Sequence, residues 1–167
     1  MAKAIALALV STLVVGLAVC ALPDYPYPTV WGTVVGVIDG NRISVQVVGS
    51  TAGDWIVGST ETVRYLGSYA SAAADTPCGA VAAQVNYQMT FGNLVYLEFD
   101  EVMRDPDGTL VAYVYLDGIG YSMVNAMLVA MGITKATVEE PNSRYASIFL
   151  GLEAVSIQLR LGCLPLP

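Results

Sequence analysis

The stretch Thr33-Val34-Val35-Gly36-Val37-Ile38-Asp39-Gly40-Asn41-Arg42-Ile43-Ser44-Val45-Gln46-Val47-Val48 decides the fold. Two runs rich in β-branched residues stand either side of an Asp-Gly turn, and alternation around such a turn specifies a β-hairpin. Working outward, residues 61–66 give a third alternating strand. Residues 94–99 and 110–115 give two more, separated by the reversal Asp105-Pro106-Asp107-Gly108. Between them, residues 79–91 carry apolar side chains four apart and run into Gly92, the pattern of an amphipathic helix. Residues 123–131 predict a short helix stopped by Gly132, and Ser143 is positioned to cap a longer one reaching Leu161 before Gly162. Three strands, a helix, two strands and two helices exclude parallel βαβ alternation. The expected class is α+β: a five-stranded Greek-key β-barrel of the OB-fold type, with three helices covering its open side.

Composition narrows the chemistry. The 167 residues include 14 acidic side chains, 7 basic ones and no histidine, for a formal charge of -7. Without histidine there is no Ser-His-Asp triad, no Cys-His pair and no imidazole-bound zinc. The acidic balance opposes non-specific nucleic-acid binding, which draws its affinity from Lys and Arg neutralising phosphates, so such binding is expected to be weak or absent.

The amino terminus reads as a separate region. Lys3 precedes an apolar run from Ala4 to Ala21, then Leu22-Pro23-Asp24-Tyr25-Pro26-Tyr27-Pro28 forbids a continuous helix. Residues 1–21 are expected to be an export signal or a membrane anchor, 22–30 a proline-rich linker, 31–162 the folded domain and 163–167 a tail. Three fates stay open for the first segment: cleavage after Ala21, retention as an anchor, and lipidation at Cys20, whose preceding Leu17-Ala18-Val19 resembles a bacterial lipobox. Each places the domain outside the cell, secreted or on the outer face of the membrane. Removing residues 1–21 leaves six basic and fourteen acidic side chains, a net -8. It also leaves Cys78 and Cys163 as an even pair in an oxidising compartment. A disulfide is expected, with two buried thiols as the alternative.

Several segments converge on one family. Met123-Val124-Asn125-Ala126-Met127-Leu128-Val129-Ala130-Met131-Gly132-Ile133-Thr134-Lys135 resembles the M-V-N-x-x-L-V-x-x-G-x-x-K segment of staphylococcal nuclease and its thermonuclease relatives. Gly108-Thr109-Leu110-Val111-Ala112-Tyr113-Val114-Tyr115-Leu116-Asp117-Gly118 is similar to their G-R-x-L-A-Y-V-Y-x-D-G strand, and Val37-Ile38-Asp39-Gly40 to their V-I-D-G-D-T hairpin. The resemblance implies a five-stranded OB barrel with three helices, and it implies calcium-dependent hydrolysis of DNA and RNA phosphodiesters. That reaction needs carboxylates for a hard cation, an acid that positions water and guanidinium groups for the phosphate.

Carried over position by position, the resemblance implies a damaged site. Asn41 stands where the first metal carboxylate is expected, Tyr69 at the second, Ala72 at the water-positioning glutamate and Thr109 at the second arginine. Arg64 alone is retained as a candidate catalytic residue. The resemblance aligns residues 64–72 with the family's R-L-x-G-I-D-T-P-E loop; a shifted reading places Asp75-Thr76-Pro77 on its D-T-P, with Cys78 then replacing the glutamate. The expectation is a catalytically defective, monomeric binding or structural module that needs no cofactor; the alternative is a diverged secreted nuclease using calcium. What the module binds stays unknown at this level.

Other polar residues have plainer expected roles. Arg64 is read first as an ion-pair residue and Arg42 as a solvated hairpin-end arginine. Asp39, Asp105 and Asp107 are read as turn formers, and Glu98, Asp100 and Glu101 as a wet surface face. Asn125 is expected to satisfy buried backbone groups, and Tyr87, Tyr113 and Tyr115 to be core.

Overall fold

The structure is a computed structural model in which residues 30–51, 53–71 and 76–163 are described. Readings that fall on residues 1–29 (the export segment, Cys20 and the linker), on Ala72 and Asp75, and on residues 164–167 lie outside those described.

The decisive hairpin forms as β1 (Val30–Asp39) and β2 (Arg42–Ser50), antiparallel, with Val34 opposite Val45 and Asp39 opposite Arg42. Three register irregularities along this pair bend it enough to begin a barrel. Gly32 permits the tightest part of the coil, because a Cβ there would run into the Gln46 carbonyl and Val45. β3 (Thr60–Tyr65) pairs with β2, and the short β4 (Ser68–Tyr69) follows. After α1 (Pro77–Thr90), β5 (Leu94–Glu98) and β6 (Leu110–Tyr115) form the second hairpin. α2 (Val124–Ala130), β7 (Lys135–Ala136) and α3 (Ala146–Gln158) complete the order.

The barrel runs β1-β2-β3-β6-β5 and closes through β1 on β5, while β4 and β7 make a separate two-stranded sheet. The expected α+β barrel with three helices is therefore present, with one correction. It has no open side for the helices to cover, because β3 and β6 pair in parallel across Val63–Leu110, Arg64–Val111 and Tyr65–Ala112. This seam joins segments far apart in sequence, which local alternation does not reveal.

Two apolar clusters hold the layers. Val34, Ile43, Val45, Val63, Val95, Leu97, Leu110, Ala112 and Val114 fill the barrel with Val124 and Leu128 of α2. Leu66, Val111, Tyr113, Tyr115, Val129, Tyr145 and Phe149 form the second, between β6 and the α2–α3 pair. All six residues of β6 are buried because the strand is covered on both faces.

Two helix starts differ from expectation, and α3 stops at Gln158 rather than reaching Leu161. α1 starts before Gly79, since Thr76 Oγ1 accepts a 2.9 Å hydrogen bond from the Gly79 amide and Pro77 occupies the first turn. Ser143 does not cap α3. Its carbonyl accepts from the Ala146 amide at 3.0 Å in a turn, and the helix begins at Ala146.

Cys78 and Cys163 are joined in a disulfide, with Cα atoms 5.4 Å apart and 85 residues between them in sequence. It fastens the start of α1 to the chain leaving α3. A backbone crossing beside it reinforces the link: the Cys163 amide donates to the Gly132 carbonyl at 3.1 Å, and a Cβ on Gly132 (φ +68°) would strike the Leu161 carbonyl. Closing so long a loop constrains the unfolded chain most. In urea denaturation of residues 22–167, Cys163→Ala is expected to cost about 2–4 kcal/mol, with no free thiol detectable in the unreduced parent. A parent that titrates two thiols when denatured would contradict the bond.

Candidate functional site

The β1–β2 turn, β3 and β4 converge on a cleft of about 510 Å³ lined by Asp39, Asn41, Arg42, Arg64, Tyr69 and Glu139 among others. The turn is built first. Asp39 is 5% exposed; its Oδ1 accepts from the Asn41 amide at 3.0 Å, as expected of a turn former. Its Oδ2 accepts from Arg42 Nε at 2.7 Å, and the same carboxylate pairs with the second guanidinium nitrogen at 2.6 Å. Arg42 is thus a half-exposed ion-pair residue, not a merely solvated one, because the tight turn returns its side chain over Asp39.

Asn41 is 6% exposed, and its carboxamide is already engaged: Nδ2 donates to the Ser68 carbonyl at 2.8 Å. Its own carbonyl accepts from the Tyr65 amide at 2.9 Å. The residue pins the hairpin to β3 and β4.

Arg64 is held from two sides. Nε and one terminal nitrogen donate to the two oxygens of Asp105 at 2.8 and 3.0 Å, and the other terminal nitrogen donates to Glu139 at 2.7 Å. Glu139 also accepts from the Thr137 hydroxyl at 3.0 Å. Burial works against the guanidinium, but the hydrogen bonds to Asp105 and Glu139 outweigh it and hold the Arg64 pKa above arginine's ordinary value. The ion-pair reading of Arg64 is what the geometry presents. Asp105 carries a second role beyond its turn, and Glu139, which sequence reasoning missed, lies 75 residues from its partner with no motif to announce it.

Of the other positions, Tyr69 reaches the cleft and is 52% exposed. Thr109 is not among the cleft's lining residues. Its amide donates to Asp107 Oδ1 at 3.0 Å and its carbonyl accepts from the Asp105 amide at 2.9 Å, so it closes the β5–β6 turn. The structure therefore brings together Asn41, Arg64 and Tyr69 but not Thr109.

Calcium takes six to eight oxygen ligands, carboxylates foremost. The cleft offers Asp39 and Glu139, each already neutralised by an arginine, and an asparagine that brings a neutral oxygen where a carboxylate would bring charge. Among the described residues no group of three or more acidic, histidine or cysteine side chains is placed to hold a metal. These residues do not fit the ion.

The expectation that Glu98 and Asp100 form a wet surface is overturned. Glu98 is 3% exposed and accepts from Arg144 at 2.6 Å, Tyr115 Oη at 2.6 Å and Tyr145 Oη at 3.0 Å. Asp100 accepts from Tyr113 Oη at 3.1 Å and from the Arg144 amide at 3.0 Å. Alternation placed Glu98 outside the barrel correctly, but the turn before α3 covers that outer face. Glu101 remains exposed. Tyr113 and Tyr115 are buried in the second cluster, while Tyr87, expected in the core, is exposed and stacks on Phe91 with ring centroids 4.6 Å apart. Asn125 satisfies buried backbone as expected: Oδ1 accepts from the Val114 amide at 2.9 Å, and Nδ2 donates to the carbonyls of Leu66 and Ala112 at 2.8 and 3.0 Å.

A closed five-stranded barrel with three helices, whose first hairpin turn and third strand meet in one cleft, defines an OB-like α+β protein. The family model described as Staphylococcal nuclease homologue matches residues 61–163, and the chain belongs to that family. Comparison with curated proteins finds no match.

The two arginine networks differ in burial, and so should their removal. Arg144→Met strands the buried Glu98 charge and is expected to cost about 3 kcal/mol or more in urea denaturation. Arg64→Met leaves Asp105 and Glu139 partly in water, so about 1 kcal/mol is expected. Equal costs would contradict the assignment of Glu98 as the buried partner.

The tyrosines set an alkaline limit. Burial, then the Glu98 charge, pushes the Tyr145 phenol up to about 12, and burial also raises Tyr65, Tyr113 and Tyr115. These groups keep their protons in the fold after they would lose them in the unfolded chain. Their stabilisation is intact below pH 10 and declines as pH rises toward 12, by up to about 1.4 kcal/mol per pH unit for each phenol. Urea midpoints that stay flat from pH 9 to about 11.5 would contradict this.

Proposed function

We propose that the protein is an exported member of the family in which hydrolysis has been lost and the barrel serves as a binding or structural module. The observation that carries this reading is the state of Arg64. The one retained family arginine is already paired with Asp105 and Glu139, whose carboxylates neutralise it and repel an approaching phosphate. In the family's reaction the water-positioning acid and the second guanidinium supply separate transition-state terms, and here alanine and threonine occupy those positions. A net charge of -8 on residues 22–167 further opposes polyanion approach. The apolar run before residue 22 supports export, with the domain secreted or attached to the outer face of the membrane, and Cys20 is the position for a lipid if one is added.

Residues 22–167 contain the closed barrel and both apolar clusters and form the unit to assay. Plasmid DNA and single-stranded RNA are expected to survive incubation with that protein, with or without calcium. Chelator-sensitive cleavage that disappears in Arg64→Ala would overturn the reading and establish a diverged calcium-dependent nuclease.

A further inference from the structure

Across Tyr69 from the ion-paired cleft lies a second concavity of about 360 Å³, and Tyr69 and Ala70 line both. Its walls are Pro77, Ile133 and the Cys78–Cys163 disulfide, with Lys135 alongside. The register of the small sheet sets its mouth: Tyr69 of β4 lies directly opposite Lys135 of β7, and directly opposed residues of an antiparallel pair share one face. Ile133 is buried beneath. The space is of small-molecule size and mostly apolar, the usual character of a ligand pocket.

Its charge is the distinguishing feature. Among the described residues lining this cleft, Lys135 is the only charged side chain. Arg42, Arg64, Arg104 and Arg144 are each held by a carboxylate, whereas Lys135 has no ion pair among the described residues; Arg160 has none either but does not line this cleft. One ammonium beside an apolar wall matches a monoanion with an apolar body. A phosphodiester or nucleotide calls instead for an arginine fork, and no arginine is among the described residues lining this cleft.

We propose that the cleft binds a small amphiphilic carboxylate, its anionic end on Lys135 and its alkyl or aryl body against Tyr69, Ile133, Pro77 and the disulfide. The proposal rests on the reading of this face as a binding surface and supplies its ligand class. The carboxylate can belong to a free acid or to the apolar end of a peptide, and the two share the same chemistry at Lys135.

The test is calorimetric titration of disulfide-intact residues 22–167 with octanoate, with octanamide, and with acetyl-leucyl-leucine bearing a free or an amidated carboxyl group. Saturable octanoate binding is expected, weakened about tenfold by Lys135→Gln, with octanamide affinity the same in parent and variant. Lys135 is exposed, so the variant is expected to melt with the parent, and Tyr69→Ala is expected to weaken acid and amide alike. Whichever acid binds more tightly identifies the source, and either order supports the site. Absence of saturable binding, equal affinity for octanoate and octanamide, or indifference to Lys135→Gln would overturn it. If a chain ending at Cys163 binds octanoate and residues 22–167 do not, the cleft is taken by residues 164–167 and the proposal fails. DNA cleavage by the same preparation contradicts the functional reading alone, whereas missing carboxylate binding without cleavage contradicts this site alone.

Discussion

The parallel seam between β3 and β6 is the constraint on which the rest of the molecule depends. Only three residue pairs form it, and without them the five strands, still joined through β1 and β5, are an open sheet rather than a closed barrel. It is extended by the Leu66 amide, which donates to the Ala112 carbonyl at 3.0 Å, and by Asn125, whose one carboxamide serves Leu66, Ala112 and Val114. A buried amide making three hydrogen bonds is costly to replace, since each abandoned backbone group would lose its partner out of reach of water. α2 is thereby positioned by polar geometry, and apolar packing of Val124 and Leu128 follows.

Arg64 sits within that seam, and its contacts give it a structural role there. The bidentate pair with Asp105 ties β3 to the turn that feeds β6, and the bond to Glu139 ties it to the segment after β7. The guanidinium fork that suits a phosphate suits two carboxylates equally well. Asn41 follows the same logic one turn away, since an asparagine can donate to the Ser68 carbonyl and a carboxylate cannot. The cleft is consistent as a structural junction: each charge on its wall has an internal counterpart, Asp39 with Arg42 and Glu139 with Arg64.

Local periodicity made the five long strands, the three helices and their order legible, because β-branched alternation and glycine-terminated helical runs are short-range signals. What escaped was non-local. Nothing near residue 63 announces a parallel partner at residue 110, and nothing near Arg64 announces Glu139. Glu98 shows the limit most clearly. Alternation assigns its face, but whether that face is wet depends on Arg144 and Tyr145 arriving from 46 and 47 residues away. Ser143 has the residue type of a cap but sits in a turn whose backbone leads into α3 three residues later. For the cleft, sequence located Asn41, Arg64 and Tyr69, yet the resemblance that found them described what the family does there, and the two carboxylates now holding Arg64 lie outside its motifs.

Among the described residues of the cleft, the pairing of Asp39 with Arg42 and of Glu139 with Arg64 leaves no carboxylate without an internal counter-charge. The most direct test of this pairing is a calcium titration of residues 22–167 followed by backbone amide NMR. The amides of residues 39–42 are expected to stay unmoved into millimolar calcium, with the Arg42 guanidinium signals unchanged. Saturable shifts confined to that turn, with Arg42 released from Asp39, would contradict it.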